Sequence, residues 1–443
     1  MKIFLIAYEN IEILKLNLKY LKTISQMPDE DVIIIDMGFD KGIRSFLETQ
    51  VEYNYICAEK LENYASILNT AMKEFSTTEN IFILNDNYIC LGDCLHYLEE
   101  TCDSDYKIGM AFPTDFATIC SQKVGISEAL ELIRGKADAI EAEIALKVPW
   151  QYIFLTRKFI DEMEELDEEL LLPDSLMRDW SFRGLCQKWK MVSVKSSYVY
   201  EVVSQVDYYA AFLGRDVDRI SLKAKWGMNY FNDIPNENLV NAINKNRDEE
   251  FTVLEVGCDC GANLMQIKRS FPKARLFGLE INSSAANVAS AFCEVLIGNI
   301  EEMNLPYSET KFDYIIFGDV LEHLRNPEKV IEYCKYFLKP QGKIIASIPN
   351  LMHYTILKDL IGGNFTYQDT GLLDRTHIHF FTYYEIVRMF LQAGYQISSC
   401  TYTVIGKMSE EDKQFVADLK RLGGGESFFF LAYQYLVVAD CND

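Results

Sequence analysis

Short apolar runs alternate with amphipathic stretches along most of the chain. In the N-terminal part, Ile3–Ala7, Val32–Ile35, Tyr55–Ala58 and Ile81–Leu84 have the length and content of buried strands. Between them, Ile11–Leu21, Ile43–Thr49 and Leu61–Phe75 place apolar residues at helical spacing. This alternation predicts an α/β domain over 1–201 with a largely parallel sheet. From Val202 to about Glu250 aromatics and charges mix, as at Tyr208, Tyr209, Lys223, Trp226 and Tyr230. That stretch is expected to be a helical connector, 202–250, with Pro235-Asn236-Glu237-Asn238 as a turn and helix start. The alternation resumes at Phe251. Strands are predicted at Thr252–Val256, Ala274–Leu279, Glu294–Ile297, Phe312–Phe317 and Lys343–Ile348, the last entered through a tight turn at Pro340-Gln341-Gly342. A second α/β domain, 251–443, follows. The two halves share no motif.

Length and composition narrow the function. A chain of 443 residues holds two or three domains. Its 43 basic and 66 acidic residues leave a net charge of -23, which repels phosphate backbones and sets nucleic acid aside as a partner. The 12 cysteines are scattered, and Met1–Tyr8 is too short in apolar residues for a secretory signal, so free buried thiols in a cytoplasmic protein are expected. Cys258-Asp259-Cys260 has no second Cys/His pair at zinc-like spacing. No apolar run reaches the roughly 18 residues that span a bilayer.

The chemistry of the C-terminal half begins at Val253-Leu254-Glu255-Val256-Gly257-Cys258-Asp259-Cys260-Gly261, a buried strand running into a glycine turn and a helix. Glycines there let a ligand approach the backbone. The next strand ends in Gly278-Leu279-Glu280, where a carboxylate can take both hydroxyls of a ribose. A dinucleotide would need glycine in place of Asp259, because its pyrophosphate sits on the helix N-terminus. S-adenosylmethionine carries a sulfonium and an ammonium and no phosphate, and it suits Glu255, Asp259 and Asp319.

Further motifs agree. They are Gly298-Asn299-Ile300-Glu301, Phe317-Gly318-Asp319-Val320-Leu321-Glu322-His323-Leu324, Ser347-Ile348-Pro349-Asn350, and Leu372-Leu373-Asp374-Arg375-Thr376-His377-Ile378-His379-Phe380-Phe381-Thr382. Over about 220–440 the chain resembles the class I methyltransferases, in the subgroup near the ubiquinone-biosynthesis O-methyltransferases and bacterial sugar methyltransferases. The resemblance implies a Rossmann-like sheet and S-adenosylmethionine held by Glu255, Gly257, Asp259, Gly261, Glu280, Asn299, Ile300 and Asp319. Asp259 replaces the family's middle glycine, and Asn299 stands where Asp is commoner. An alcohol acceptor must lose a proton, which suits a histidine. His323 is the first candidate base, and His377 or His379 the second. Arg375 and Asp374 are read as an ion pair or as part of the acceptor pocket.

Over about 1–201 the chain resembles the GT-A glycosyltransferases of family 2. Ile6-Ala7-Tyr8-Glu9-Asn10 falls at the first strand and its turn. Val32–Gly42 is a strand ending at Asp36 followed by a turn, and Asn63, Ala65 and Asn69 fall in the next helix motif. Ile83-Leu84-Asn85-Asp86-Asn87 falls at the acidic metal motif, and Met177-Arg178-Asp179-Trp180 at the motif of the catalytic base. The resemblance implies nucleotide-sugar contacts at Tyr8 and Asp36, manganese or magnesium at Asp86 and a base at Asp179. The acidic set is altered, with Asn87, Arg178 and Glu201 replacing family residues. Together the two resemblances imply a methyltransferase acting on a saccharide or glycoconjugate. The N-terminal domain then either transfers sugar, as in surface- or flagellar-glycan synthesis, or only binds a glycan or a partner.

Overall fold

A computed structural model describes the chain except residues 9–10, 59–62, 76–77, 121, 135–139, 203–214, 229–231, 308–310, 424 and 442–443. It divides into two compact units, Met1–Tyr230 and Phe231–Asp443.

In the first unit the strands are β1 (Lys2–Ala7), β2 (Val32–Asp36), β3 (Asn54–Cys57), β4 (Ile81–Asn85), β5 (Tyr88–Leu91), β6 (Ile108–Asp115), β7 (Ala142–Ala145), β8 (Tyr152–Leu155) and β9 (Lys190–Glu201). They form one sheet in the order β3-β2-β1-β4-β8-β6-β9-β5, with β7 also on β9. The predicted helices are present at Ile11–Thr23, Lys41–Leu47 and Tyr64–Phe75. Only part of the sheet is parallel as expected. β3, β2, β1 and β4 run together, but β8 opposes both β4 and β6, and β5 and β7 oppose β9. Apolar content reports burial and says nothing of strand direction, so the four-residue strands gave no warning of a mixed sheet.

Two helices of this unit are tied by buried polar groups. Asp179, fully buried on Pro173–Cys186, takes the Arg183 guanidinium at 2.9 Å, the Lys225 ammonium at 2.9 Å and the Trp226 indole N–H at 2.9 Å. Lys225 and Trp226 end the helix Arg215–Trp226. On the same helix Asp218 accepts the Leu171 and Leu172 amides at 2.9 and 2.7 Å, just ahead of the helix that carries Asp179.

The second unit contains β10 (Thr252–Val256), β11 (Arg275–Glu280), β12 (Glu294–Ile297), β13 (Phe312–Gly318), β14 (Leu338–Pro349), β15 (Tyr395–Thr403) and β16 (Gln434–Cys441). Their order is β12-β11-β10-β13-β14-β16-β15. The five predicted strands form the parallel part. β16 and β15, which the sequence did not suggest, close the edge in antiparallel fashion. The chain leaves β10 to lay β11 on one side and later β13 on the other, so the strand order reverses there. In such a sheet the ligand crevice lies at the carboxyl ends of the strands around that point.

The stretch read as a connector gives its helix Arg215–Trp226 to the first unit. Its second helix, Glu237–Asn241, belongs to the second unit and starts behind an Asn236 cap as expected. Tyr208, Tyr209 and Tyr230 lie outside the described residues. No helix among the described residues is long and apolar enough to cross a membrane.

All four tryptophans, Trp150, Trp180, Trp189 and Trp226, lie in the first unit, so their fluorescence reports its unfolding. Asp179→Ala leaves two cations facing each other and the indole N–H without its acceptor. Urea unfolding followed at tryptophan is expected to show a loss of about 2–4 kcal/mol.

Candidate cofactor and acceptor site

At the end of β10 the chain must turn within a few residues into the helix Ala262–Ser270, and it does so in left-handed conformations. Gly257, Asp259 and Gly261 have φ of 69°, 48° and 86°. A Cβ on Gly257 would stand 2.6 Å from Val320 Cγ2, and one on Gly261 would stand 3.0 Å from Ala289 Cβ. Both positions therefore need glycine for conformation and for space. Asp259 tolerates the strain because aspartate is among the residues that visit this region.

Three carboxylates surround the turn. Glu255, buried on β10, accepts the Asn263 amide at 2.7 Å through Oε1, while Oε2 has no hydrogen bond among the described residues. Burial pushes its carboxyl up to about 8, helped by the nearby charges of Asp259 and Glu280. Burial and Glu280 push Asp259 up to about 6. Glu280, at the end of β11, accepts the Asp259 amide at 2.9 Å and the Asn282 amide at 2.8 Å. Each carboxylate oxygen keeps a lone pair for a further donor. This turn fits a ligand that is close to the backbone, cationic and provided with hydroxyls. Gly257 and Gly261 supply the approach, the orphaned Glu255 oxygen an acceptor for a cation, and Glu280 a hydroxyl partner.

The other expected cofactor residues divide. Asn299 caps a short turn by accepting the Glu301 amide at 3.0 Å. Ile300 is a core residue, its side chain buried with Leu254, Val256 and Phe277. Asp319 follows β13 at φ 54° and accepts the Ser347 hydroxyl at 3.0 Å and the Gln434 amide at 2.7 Å, both on one oxygen. Burial raises its carboxyl, against these hydrogen bonds. Gln434 and Asn263 were not among the expected residues. Gln434 enters from β16, an antiparallel strand that no sequence signal predicted.

The histidines gather behind Asp319. His323 is exposed, and its Nδ1 lies 3.2 Å from the Thr376 carbonyl and 3.3 Å from the Thr376 hydroxyl. His377 is buried, packs edge-on to His323 at 4.8 Å, and faces the Leu372 carbonyl through Nδ1 at 3.3 Å. Its Nε2 lies 3.8 Å from Glu322, a fully buried carboxyl that desolvation pushes well above the usual range. Burial and the neighbouring His323 lower His377, which is therefore neutral near pH 7. Glu322, His323 and His377 each offer a ligand atom within 4.8 Å of the others, a spacing that one small cation could span. His379 is set apart, with Nε2 on the Arg325 carbonyl at 3.3 Å. Asp374 accepts the Thr376 hydroxyl, and Arg375 pairs instead with Asp369 at 2.9 Å.

In the first unit Tyr8, Asp36 and Asp86 meet at the carboxyl ends of β1, β2 and β4. Asp86 is fully buried and accepts the Tyr8 amide at 3.1 Å, while Asp36 accepts the Gly38 amide at 2.8 Å. Tyr8 stacks on Phe39 at 5.7 Å and meets Trp150 edge-on at 6.0 Å. Glu9 and Asn10 lie outside the described residues. Asp179, expected to act as a base, is the center of the helix tie. Its oxygens are taken by two cations and an indole, so abstracting a proton would first require breaking ion pairs to a fully buried carboxylate.

Residues 208–399 match the family model described as a methyltransferase domain. The chain is 28% identical over 185 residues to an uncharacterized protein of Methanocaldococcus jannaschii, covering 37% of this chain and 82% of that one. It is 26% identical over 120 residues to the ubiquinone biosynthesis O-methyltransferase of Acinetobacter baylyi, covering 26% of this chain and 50% of that enzyme. The chain thus spans about half the length of that relative. A structure of an S-adenosylmethionine-dependent methyltransferase from Aquifex aeolicus shares 16% identity, with 44% of this chain and 85% of that one covered and a TM-score of 0.30. A methyltransferase-domain model thus matches residues 208–399, and the relatives that resemble this region include methyltransferases.

Two outcomes test the site. Gly257→Val and Glu280→Ala are each expected to abolish S-adenosylmethionine binding by calorimetry. The second concerns pH. Because the Glu255 carboxyl sits near 8 when folded, against the usual 4.5, the folded chain keeps a proton that the unfolded chain has lost. Stability is fully present below about 4.5 and falls as pH rises toward about 8. Glu255→Gln removes that loss, so scanning calorimetry should find the unliganded variant stabilised over the parent at pH 8 and little changed at pH 4.5.

Proposed function

We propose that the second unit transfers the methyl group of S-adenosylmethionine to a hydroxyl of a saccharide or glycoconjugate, with His323 taking the hydroxyl proton. The observation that carries this reading is the acidic glycine turn at β10 standing beside an exposed histidine held by a second loop. When bound, S-adenosylmethionine supplies an activated methyl group on a positive sulfur. The protein's own part is to hold donor and acceptor in line, to exclude water and to receive a proton. Glu280 suits the ribose hydroxyls. Glu255 and Asp259 suit the positive end of the donor, and Asp319 lies between that turn and the histidines. His379 is already a donor to the Arg325 carbonyl through Nε2, and His377 is buried against Glu322. Exposure leaves His323 as the base. The saccharide acceptor is inferred from the pairing with the first unit, an argument by association.

For the first unit we propose a recognition module that binds a glycan or a nucleotide sugar at Tyr8, Asp36 and Asp86. What supports binding over transfer is Asp179, whose carboxylate is committed to Arg183 and Lys225. Sugar transfer assisted by manganese or magnesium at Asp86 is the competing reading.

The two readings separate by titration of UDP- and GDP-sugars with and without manganese. Binding that is independent of metal, with no hydrolysis, is expected; metal-dependent hydrolysis lost in Asp86→Ala would restore the transferase. For the second unit, an acceptor screen is expected to find methylated neutral oligosaccharides, with turnover falling about 100-fold or more in His323→Gln. Cofactor binding should also release protons at pH 6–7, because a cation ionises Glu255 and Asp259. Calorimetry in buffers of different ionisation heat should show more release for S-adenosylmethionine than for S-adenosylhomocysteine, which keeps the ammonium but lacks the sulfonium charge.

A further inference from the structure

We propose that Thr376, aligned by Asp374, fixes the proton of His323 on Nδ1 and so leaves Nε2 as the atom that accepts the proton of the acceptor hydroxyl. This rests on the reading of the second unit as a hydroxyl-directed methyltransferase.

The assignment follows from counting hydrogens. Asp374 Oδ1 accepts the Thr376 amide at 2.7 Å and the Thr376 hydroxyl at 2.6 Å. A threonine hydroxyl has one hydrogen, and here it is given to a carboxylate. Burial works against the charge on Asp374, but the two Thr376 hydrogen bonds and the adjacent histidines hold its carboxyl below the usual range, so it is an acceptor only. What Thr376 turns toward His323 is therefore lone pairs alone, from the hydroxyl at 3.3 Å and the carbonyl at 3.2 Å. Two acceptors on one ring nitrogen require that nitrogen to carry hydrogen. A neutral imidazole has one N–H, so Nε2 is bare.

The neighbours fit the same count. His377 meets the Leu372 carbonyl through Nδ1, which makes its Nε2 bare as well, and that atom faces Glu322 Oε1 at 3.8 Å. A bare nitrogen facing an ionised carboxylate would repel it, so the neutral form of Glu322 suits this neighbour. Glu322 has no hydrogen bond to either oxygen among the described residues, and burial favours its neutral form. His377 is buried with its Nδ1 on the Leu372 carbonyl, and the exposed His323 is the one whose bare nitrogen an acceptor can reach. Thr376 and Asp374 act through His323 and are positioning residues.

The test uses the full chain labelled with 15N-histidine and read by long-range proton–nitrogen correlation, the His323 signals being assigned from their loss in His323→Gln. In the parent and in Thr376→Ser, His323 is expected as the Nδ1–H tautomer. Thr376→Val should shift it toward a mixture with the Nε2–H form, while S-adenosylmethionine binding by calorimetry is unchanged. On an acceptor found by the screen, Thr376→Val should lower kcat about tenfold with little change in KM, and Thr376→Ser should restore it. The proposal is overturned by an Nε2–H tautomer in the parent, by a Thr376→Val spectrum identical to the parent's, or by elemental analysis that finds a divalent ion whose removal shifts the His323 nitrogens. The tautomer measurement needs no acceptor, so it decides the proposal even where the acceptor screen sinks the functional reading.

Discussion

Parallel strands that all finish at one edge force the chain to reverse there within a few residues, and in the second unit this constraint governs everything else. β10 and β13 are each followed at once by a residue with positive φ, Gly257 and Asp319. The left-handed turns expose backbone and bring side chains from separate strands to one crevice. Glu255, Glu280, Asp319 and Ser347 come from four strands or their ends and meet only because those strands stop together. The cost of the arrangement is borne locally, in crowded carboxylates and in a non-glycine residue held at φ 54°.

That edge has an unusual charge economy. A net charge of -23 would suggest a crevice filled with ionised acid. Instead, desolvation favours protons on Glu255, Asp319 and Glu322. Negative charge is held in reserve and appears when a cation arrives to stabilise it. Asp374 follows the opposite course. Two hydrogen bonds from one residue keep it ionised, and it spends that charge on orienting a hydroxyl. The difference comes from burial, since Asp319 also receives two hydrogen bonds but is almost wholly desolvated, whereas Asp374 is only partly so.

Much of this was legible in the sequence. Apolar runs located the parallel strands of both units because burial on both faces writes a continuous pattern. The glycine turn and Glu280 were legible because their chemistry is local: a tight turn and the end of the next strand. What was missed is non-local. Gln434 reaches Asp319 across 115 residues, from a strand whose alternating burial is hard to tell from surrounding loop. Ile300 stood in a motif, and its side chain packs in the core. Thr376 was inside a quoted motif, yet its role depends on where His323 lands, 53 residues away. Asp179 read as chemistry from its neighbours in sequence, but its partners Lys225 and Trp226 lie on another helix.

The tie at Asp179 also bears on where one evolutionary module gives way to the next. The matched methyltransferase region begins at residue 208, ahead of the helix Arg215–Trp226, yet that helix folds with the first unit. Leu222 and Trp226 are buried there, and Asp218 holds the start of a helix that belongs wholly to the first unit. A cut that follows the sequence family would carry away a helix that has exchanged its allegiance. It would leave greasy side chains in water on one fragment and an unfilled groove on the other. The heritable boundary at 208 and the folding boundary at 231 enclose that whole helix between them, and recombination that respects the first would damage the second.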